Sequence, residues 1–183
     1  MSRPLRARPL ALSGAAPLAL VGAALAPAAA DAAELQVKVE IPRLQVAEYH
    51  RPYVSLWIQK ADESAAGTLA VWYDAKNKED AGQKWLKDMR QWWRKAGRGM
   101  SFPADGISGA TRAPGVQAIS FSSKSPALAQ LPPGDYRLVV EAAREVGGTE
   151  AVKASFKWPP AAAATTSAKG SAELGVVSVS ARP

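Results

Sequence analysis

Glu34-Leu35-Gln36-Val37-Lys38-Val39-Glu40-Ile41 decides the fold class. Leu35, Val37, Val39 and Ile41 alternate with Glu34, Gln36, Lys38 and Glu40. A period of two puts the apolar side chains on one face of a strand and the polar ones on the other. A strand with one dry and one wet face belongs to an antiparallel sheet packed on one side. Residues 53–59 repeat the pattern, with Val54, Leu56 and Ile58 on one face and Tyr53, Ser55, Trp57 and Gln59 on the other. Residues 68–73 follow as a hairpin partner across the polar connection 61–67. Residues 117–122, 135–142 and 151–158 give three more strands, the middle one introduced by Pro132-Pro133-Gly134. The turn Val146-Gly147-Gly148-Thr149 joins the last two.

Residues 80–96 break the β pattern. Trp85, Leu86, Met89, Trp92, Trp93 and Ala96 fall at the spacing of an amphipathic helix, and Gly97 follows as a stop. Lys84, Lys87, Asp88, Arg90, Gln91, Arg94 and Lys95 face the other way, so the wet side is strongly basic. Trp85 reads as core packing. Adjacent residues point ~100° apart on a helix, so one of the Trp92-Trp93 pair is left available to a ligand or a partner. After Trp158 the Ala/Thr/Ser run of residues 161–172 reads as a flexible linker, and residues 173–183 as a C-terminal edge strand. Short strands at this spacing make the chain mainly β: a single immunoglobulin-like antiparallel β-sandwich over residues 31–160, with one inserted helix.

The N-terminus carries Arg3, Arg6 and Arg8, then an apolar stretch from Leu10 to Leu25, then small residues. This is the pattern of a secretory signal peptide, residues 1–30. Cleavage after Ala30 or after Ala32 satisfies the small-x-small rule, and Ala30 is preferred. The chain has no cysteine, so disulfides, thiolate metal sites and Cys-linked haem are excluded. Its net charge of +7, less the three signal arginines, leaves +4 on the exported domain, too little to argue for nucleic acid. His50 is the only histidine, and neither a metal site nor a catalytic triad can be assembled around it.

Asp105-Gly106-Ile107-Ser108-Gly109-Ala110-Thr111 carries the chemistry. Gly106, Gly109 and Ala110 are small enough to let another enzyme approach the backbone around a hydroxyl. Glycine also adopts backbone angles closed to other residues. Asp105 and Ser108 are short polar groups that hold turns by bonding nearby backbone. Ala113-Pro114-Gly115 signals a turn, which places the run on a loop. The composition alone would equally suit an ordinary surface turn.

The run resembles the flavinylation motif, Asp-Gly-x-Ser/Thr-Gly/Ser-Ala-Thr, in which FAD:protein FMN transferase esterifies the last Thr with the phosphate of FMN. Every fixed position is matched, with Ile107 at the free one. The resemblance implies FMN linked covalently to Thr111 by a phosphodiester, with Arg112 pairing the remaining phosphate charge. The ring would lie on an aromatic surface, for which Trp92, Trp93 and Trp57 are the candidates.

Most of the exported chain also resembles a family of periplasmic bacterial proteins without an assigned activity. The segments that carry this are Arg51-Pro52-Tyr53-Val54-Ser55-Leu56-Trp57-Ile58, Trp85-Leu86-Lys87-Asp88-Met89-Arg90-Gln91-Trp92-Trp93-Arg94, the heptapeptide through Pro114-Gly115, and Gly134-Asp135-Tyr136-Arg137-Leu138-Val139-Val140-Glu141-Ala142-Ala143-Arg144-Glu145-Val146-Gly147-Gly148. That likeness implies a flavinylated partner of PepSY-type transmembrane redox proteins, an electron carrier rather than a standalone enzyme. The alternative is a flavin-free β-sandwich interaction module that binds a periplasmic or membrane partner through the basic Trp helix, including peripheral contact with an anionic membrane.

Overall fold

The computed structural model describes residues 32–76 and 78–183; the expected signal peptide lies outside the described residues. Nine strands appear among them: β1 (Glu34–Ile41), β2 (Tyr53–Gln59), β3 (Ala65–Tyr73), β4 (Ser108–Ala110), β5 (Gly115–Ser122), β6 (Gly134–Ala143), β7 (Thr149–Trp158), β8 (Ala164–Lys169) and β9 (Val176–Arg182). They form a four-stranded sheet in the order β5-β1-β9-β8 and a five-stranded sheet in the order β4-β3-β2-β6-β7. Pairing is antiparallel throughout except between β3 and β4. The mainly β, immunoglobulin-like sandwich read from the alternating strands is the architecture found.

Alternation explains the main core. Leu35, Val37, Val39 and Ile41 of β1 meet Val54, Leu56 and Ile58 of β2, Leu138, Val140 and Ala142 of β6, and Val177, Val179 and Ala181 of β9 between the two sheets. β2 differs in being buried on both faces, its burial pattern running from half-buried Tyr53 into six buried residues. The outer face of the five-stranded sheet is covered by the inserted segment: Leu86, Met89 and Trp92 pack on Trp57, Val71, Tyr73, Val139 and Ala143 as a second core.

The inserted segment is not one helix over 80–96. It is a 3-10 stretch (Lys78–Asp88), a break at Met89, a short α-helix α1 (Arg90–Lys95) and a 3-10 turn (Gly97–Gly99). The large side chains it buries, Leu86, Met89 and Trp92, are spaced by three, one each from the 3-10 stretch, the break and α1. Trp85 falls off that stripe and stands 45% exposed with Lys84 over its ring, so it is not core. The break is fixed from outside, since the carboxylate of Glu141 on β6 accepts the backbone N–H groups of Gln91 at 2.9 Å and Trp92 at 2.7 Å. These are donors that the first turn of a helix leaves without a partner of its own.

The C-terminal region also departs from the sequence reading. The expected linker 161–172 contains β8, and the expected edge strand becomes β9, central between β1 and β8. The Ala/Thr/Ser run has no buried face to show an alternation, and its order comes from elsewhere. Glu150 of β7 accepts N–H bonds from Ser171, Ala172 and Leu174, Glu173 is held by Arg144 at 2.8 Å, and Glu40 accepts the Val176 N–H at 2.8 Å. Burial pushes the Glu150 carboxyl upward, but these donors outweigh it and hold it below the ordinary carboxylate range.

Glu141 behaves the other way. Burial raises its pKa, and the two N–H donors only partly offset this. A raised folded pKa means the native state binds this proton more tightly than the unfolded chain. Its contribution to stability is therefore full below the ordinary glutamate range and is lost as pH rises through the folded value. Glu141→Gln should flatten that component in urea titrations at a series of pH values. Glu141→Ala, which leaves two buried N–H groups unpaired, should cost about 1–3 kcal/mol.

Candidate functional site

The chain reaches the heptapeptide from the second core. Phe102 packs there, its ring centre 5.8 Å from Trp92 and 5.9 Å from Tyr73, and its carbonyl accepts the Gln83 side-chain amide at 3.2 Å. A tight turn follows. The Ala104 carbonyl accepts the N–H of Ile107 at 3.2 Å and of Ser108 at 2.9 Å, while the Ser108 hydroxyl accepts the Ala104 N–H at 2.9 Å. Gly106 sits at φ +70°, in the left-handed region that disfavours any side chain. Ile107 turns inward onto the second core.

The chain then runs beside β3 rather than staying a loop throughout. The Ile107 carbonyl accepts the Val71 N–H at 2.9 Å, and the Thr111 N–H donates to the Tyr73 carbonyl at 3.2 Å. Between these bonds β4 lies parallel to β3, with Val71 opposite Ser108, Trp72 opposite Gly109 and Tyr73 opposite Ala110. Gly109 has a local reason, because a Cβ there would sit 3.3 Å from Cδ1 of Trp72. Residues 111–114 then cross from the five-stranded sheet to β5 of the four-stranded one. Thr111 thus stands at the crossover on the side of the sandwich where β4 and β5 are edges.

Asp105, Ala110 and Arg112 are exposed, and Thr111 is half-buried. The hydrogen bonds of the motif are made by its backbone and by Ser108; among the described residues the Asp105 carboxylate and the Thr111 hydroxyl take no part in them. Of the pair expected to hold the turn, Ser108 does so and Asp105 does not.

The aromatic candidates separate. Trp92 is fully buried and gives its indole N–H to the Thr68 hydroxyl at 3.1 Å, and Trp57 is fully buried beneath the same segment, so neither offers a face to a ligand. Both are spent on closing the second core. Trp93 is half-buried against Trp92, with ring centres 6.1 Å apart. The aromatic residue that the structure does bring to the motif is Trp72, opposite Gly109 and with the Arg112 guanidinium 5.3 Å from its ring centre, but it is buried in the main core and offers no free face either. Sequence reasoning missed Trp72, since only the parallel β3–β4 pairing joins residue 72 to residues 109 and 112.

His50 lies between Glu48 and Glu145, with ring nitrogens 2.8 Å and 3.5 Å from their carboxylates. Among the described residues no group of three or more candidate side chains could hold a metal ion, and no helix is long and apolar enough to cross a membrane.

Residues 34–176 match the family described as "predicted periplasmic protein (DUF2271)". The chain belongs to this family. No curated protein and no solved structure matches it. The DUF2271 match starts with β1 and closes at the first residue of β9, so it contains the second core, the whole heptapeptide and the main core apart from β9.

The turn makes a direct prediction. Gly106→Ala forces a side chain into the left-handed region and should lower stability by about 1 kcal/mol. In urea titration it should shift the midpoint without changing the slope.

Proposed function

We propose that this DUF2271 protein is an exported electron carrier whose Thr111 bears FMN through a phosphodiester. The observation that carries the reading is how the motif divides. Gly106, Ser108 and Gly109 are accounted for by the turn and by Trp72, whereas the side chains of Asp105 and Thr111 match the flavinylation pattern and make no hydrogen bond among the described residues.

The residues present fit the group. The Thr111 hydroxyl displaces AMP from the FMN phosphorus of FAD in the active site of FAD:protein FMN transferase, giving up its proton as the new P–O bond forms and the pyrophosphate bond breaks. Access to that hydroxyl is helped by its place: β4 is only three residues long and forms the edge of its sheet, and its exposed neighbours Ala110 and Arg112 are respectively small and cationic. On this reading the exposed Arg112, next along the chain, pairs the phosphodiester charge. When bound, FMN supplies one- and two-electron transfer. The protein contributes a fixed attachment point and a cation next to it in the chain. A covalent link suits the periplasm, where a released cofactor would be diluted away. PepSY-type or other transmembrane redox proteins are the partners this reading calls for.

A second reading rests on the inserted segment. Lys84, Lys87, Arg90, Arg94, Lys95 and Arg98 are exposed around half-exposed Trp85. Such a surface suits an acidic partner or an anionic membrane, and on that reading the protein is a colourless interaction module in which charge reversal at Arg90 and Arg94 abolishes function.

Thr111→Ala exported together with the transferase should carry no flavin while keeping the wild-type far-UV circular dichroism and urea midpoint. Thr111→Ser keeps the hydroxyl and should retain some attachment. A folded Thr111→Ala protein that still carries covalent flavin would overturn the assignment.

A further inference from the structure

We propose that β5 is the surface through which two copies of this chain pair, edge to edge and antiparallel about a two-fold axis. A sheet edge offers unpaired backbone N–H and C=O groups to any other strand, and folded proteins normally guard it with charge, proline, a bulge, shortness or a cover. The sandwich has four edges, and three are guarded. β4 is three residues long. β7 carries Glu150, Lys153 and Lys157. β8 ends in Lys169 and lies against β7, the Thr166 hydroxyl bonding the Ser155 carbonyl.

β5 has none of these devices. Gly115-Val116-Gln117-Ala118-Ile119-Ser120-Phe121-Ser122 contains no charged residue and no proline. It pairs with β1 in unbroken register over its whole length, from Glu34 opposite Ser122 to Ile41 opposite Gly115, so no bulge twists it away. Among the described residues nothing pairs with its other edge. Its outward residues Val116, Ala118, Ser120 and Ser122 are exposed, Val116 to 64%.

Charge and symmetry select the occupant. The nearest charges on that face, Glu34, Lys38 and Glu40, lie one strand further in, on β1 opposite Ser122, Ala118 and Val116. A second β5 places neutral, small residues against neutral, small residues without like-charge repulsion. Antiparallel pairing of identical edges is also self-closing, so it ends at a dimer rather than a fibre. The product is one continuous sheet in which the two β5 strands are central, each flanked by β1, β9 and β8 of its own copy. Side chains alternate faces along both strands, so a register that keeps Val116, Ala118 and Ser120 on one face also keeps Ile119 and Phe121 on the core side. The Ser122 end of one copy then lies beside the Gly115 end of the other, next to the chain leaving Thr111.

Sedimentation velocity of the exported, signal-cleaved protein over a dilution series tests this. Wild type should sediment as a dimer that dissociates on dilution. Ala118→Lys and Ser120→Lys, each placing a cation at an exposed edge position, should both be monomeric at concentrations where wild type is dimeric, with unchanged circular dichroism and melting. Val146→Lys, at the exposed β6–β7 turn, controls for added charge and should remain dimeric. A wild-type protein that is monomeric at its highest soluble concentration, or a dimer indifferent to both edge lysines, overturns the proposal. Neither result depends on whether Thr111 carries flavin.

Discussion

Burial of the Trp92 indole over the outer face of the five-stranded sheet is the interaction on which the site depends. Trp92 closes the second core with Leu86 and Met89, and its ring supports Phe102, from which the chain turns into the motif. Ile107 returns to that core, and the Ile107 and Thr111 backbone bonds to β3 complete the anchoring. Both polar ends of the arrangement are satisfied within it. The indole N–H meets Thr68, and the Glu141 carboxylate takes the free N–H groups at the start of α1. An unpartnered carboxylate at that depth would be costly, so the same residue that stiffens the segment would become a liability if the segment moved away.

This second core gives the motif rigidity on one side and leaves it open on the other. Turn, edge strand and crossover hold the backbone of residues 104–111 by hydrogen bonds to Ala104, Val71 and Tyr73, while Asp105, Ala110 and Arg112 face solvent. A tethered redox group needs this combination: a fixed attachment point, and room for both the attaching enzyme and a redox partner to reach it. The opposite side of the sandwich, where β7 and β8 lie against one another, offers no comparable edge.

The sandwich was legible where each strand buries one face, as Leu35 to Ile41 does. It was not legible where order comes from distant side chains. β8 is a run of small, exposed residues whose alternation carries no hydrophobic signal, and the turn that leads to β9 is organised by Glu40, Glu150 and Glu173. The inserted segment was readable as amphipathic but not as 3-10, because Leu86, Met89 and Trp92 satisfy both periods and the tertiary contact with Glu141 decides where the α-helix starts. The motif itself was fully visible as a run of residues. Its surroundings were not, since Trp72 sits in a strand pattern that says nothing about Gly109 or Arg112 until β4 is laid beside β3.

The most direct measurement is the intact mass and visible spectrum of the wild-type protein after export together with an FMN transferase, followed by peptide mapping. The expected result is a yellow protein heavier by one FMN phosphodiester, with the added mass on the peptide that contains Thr111 and on that residue rather than on Ser108. A colourless protein of unmodified mass, under conditions that flavinylate a known acceptor, would contradict the carrier assignment and leave residues 105–111 as a structural turn and edge strand.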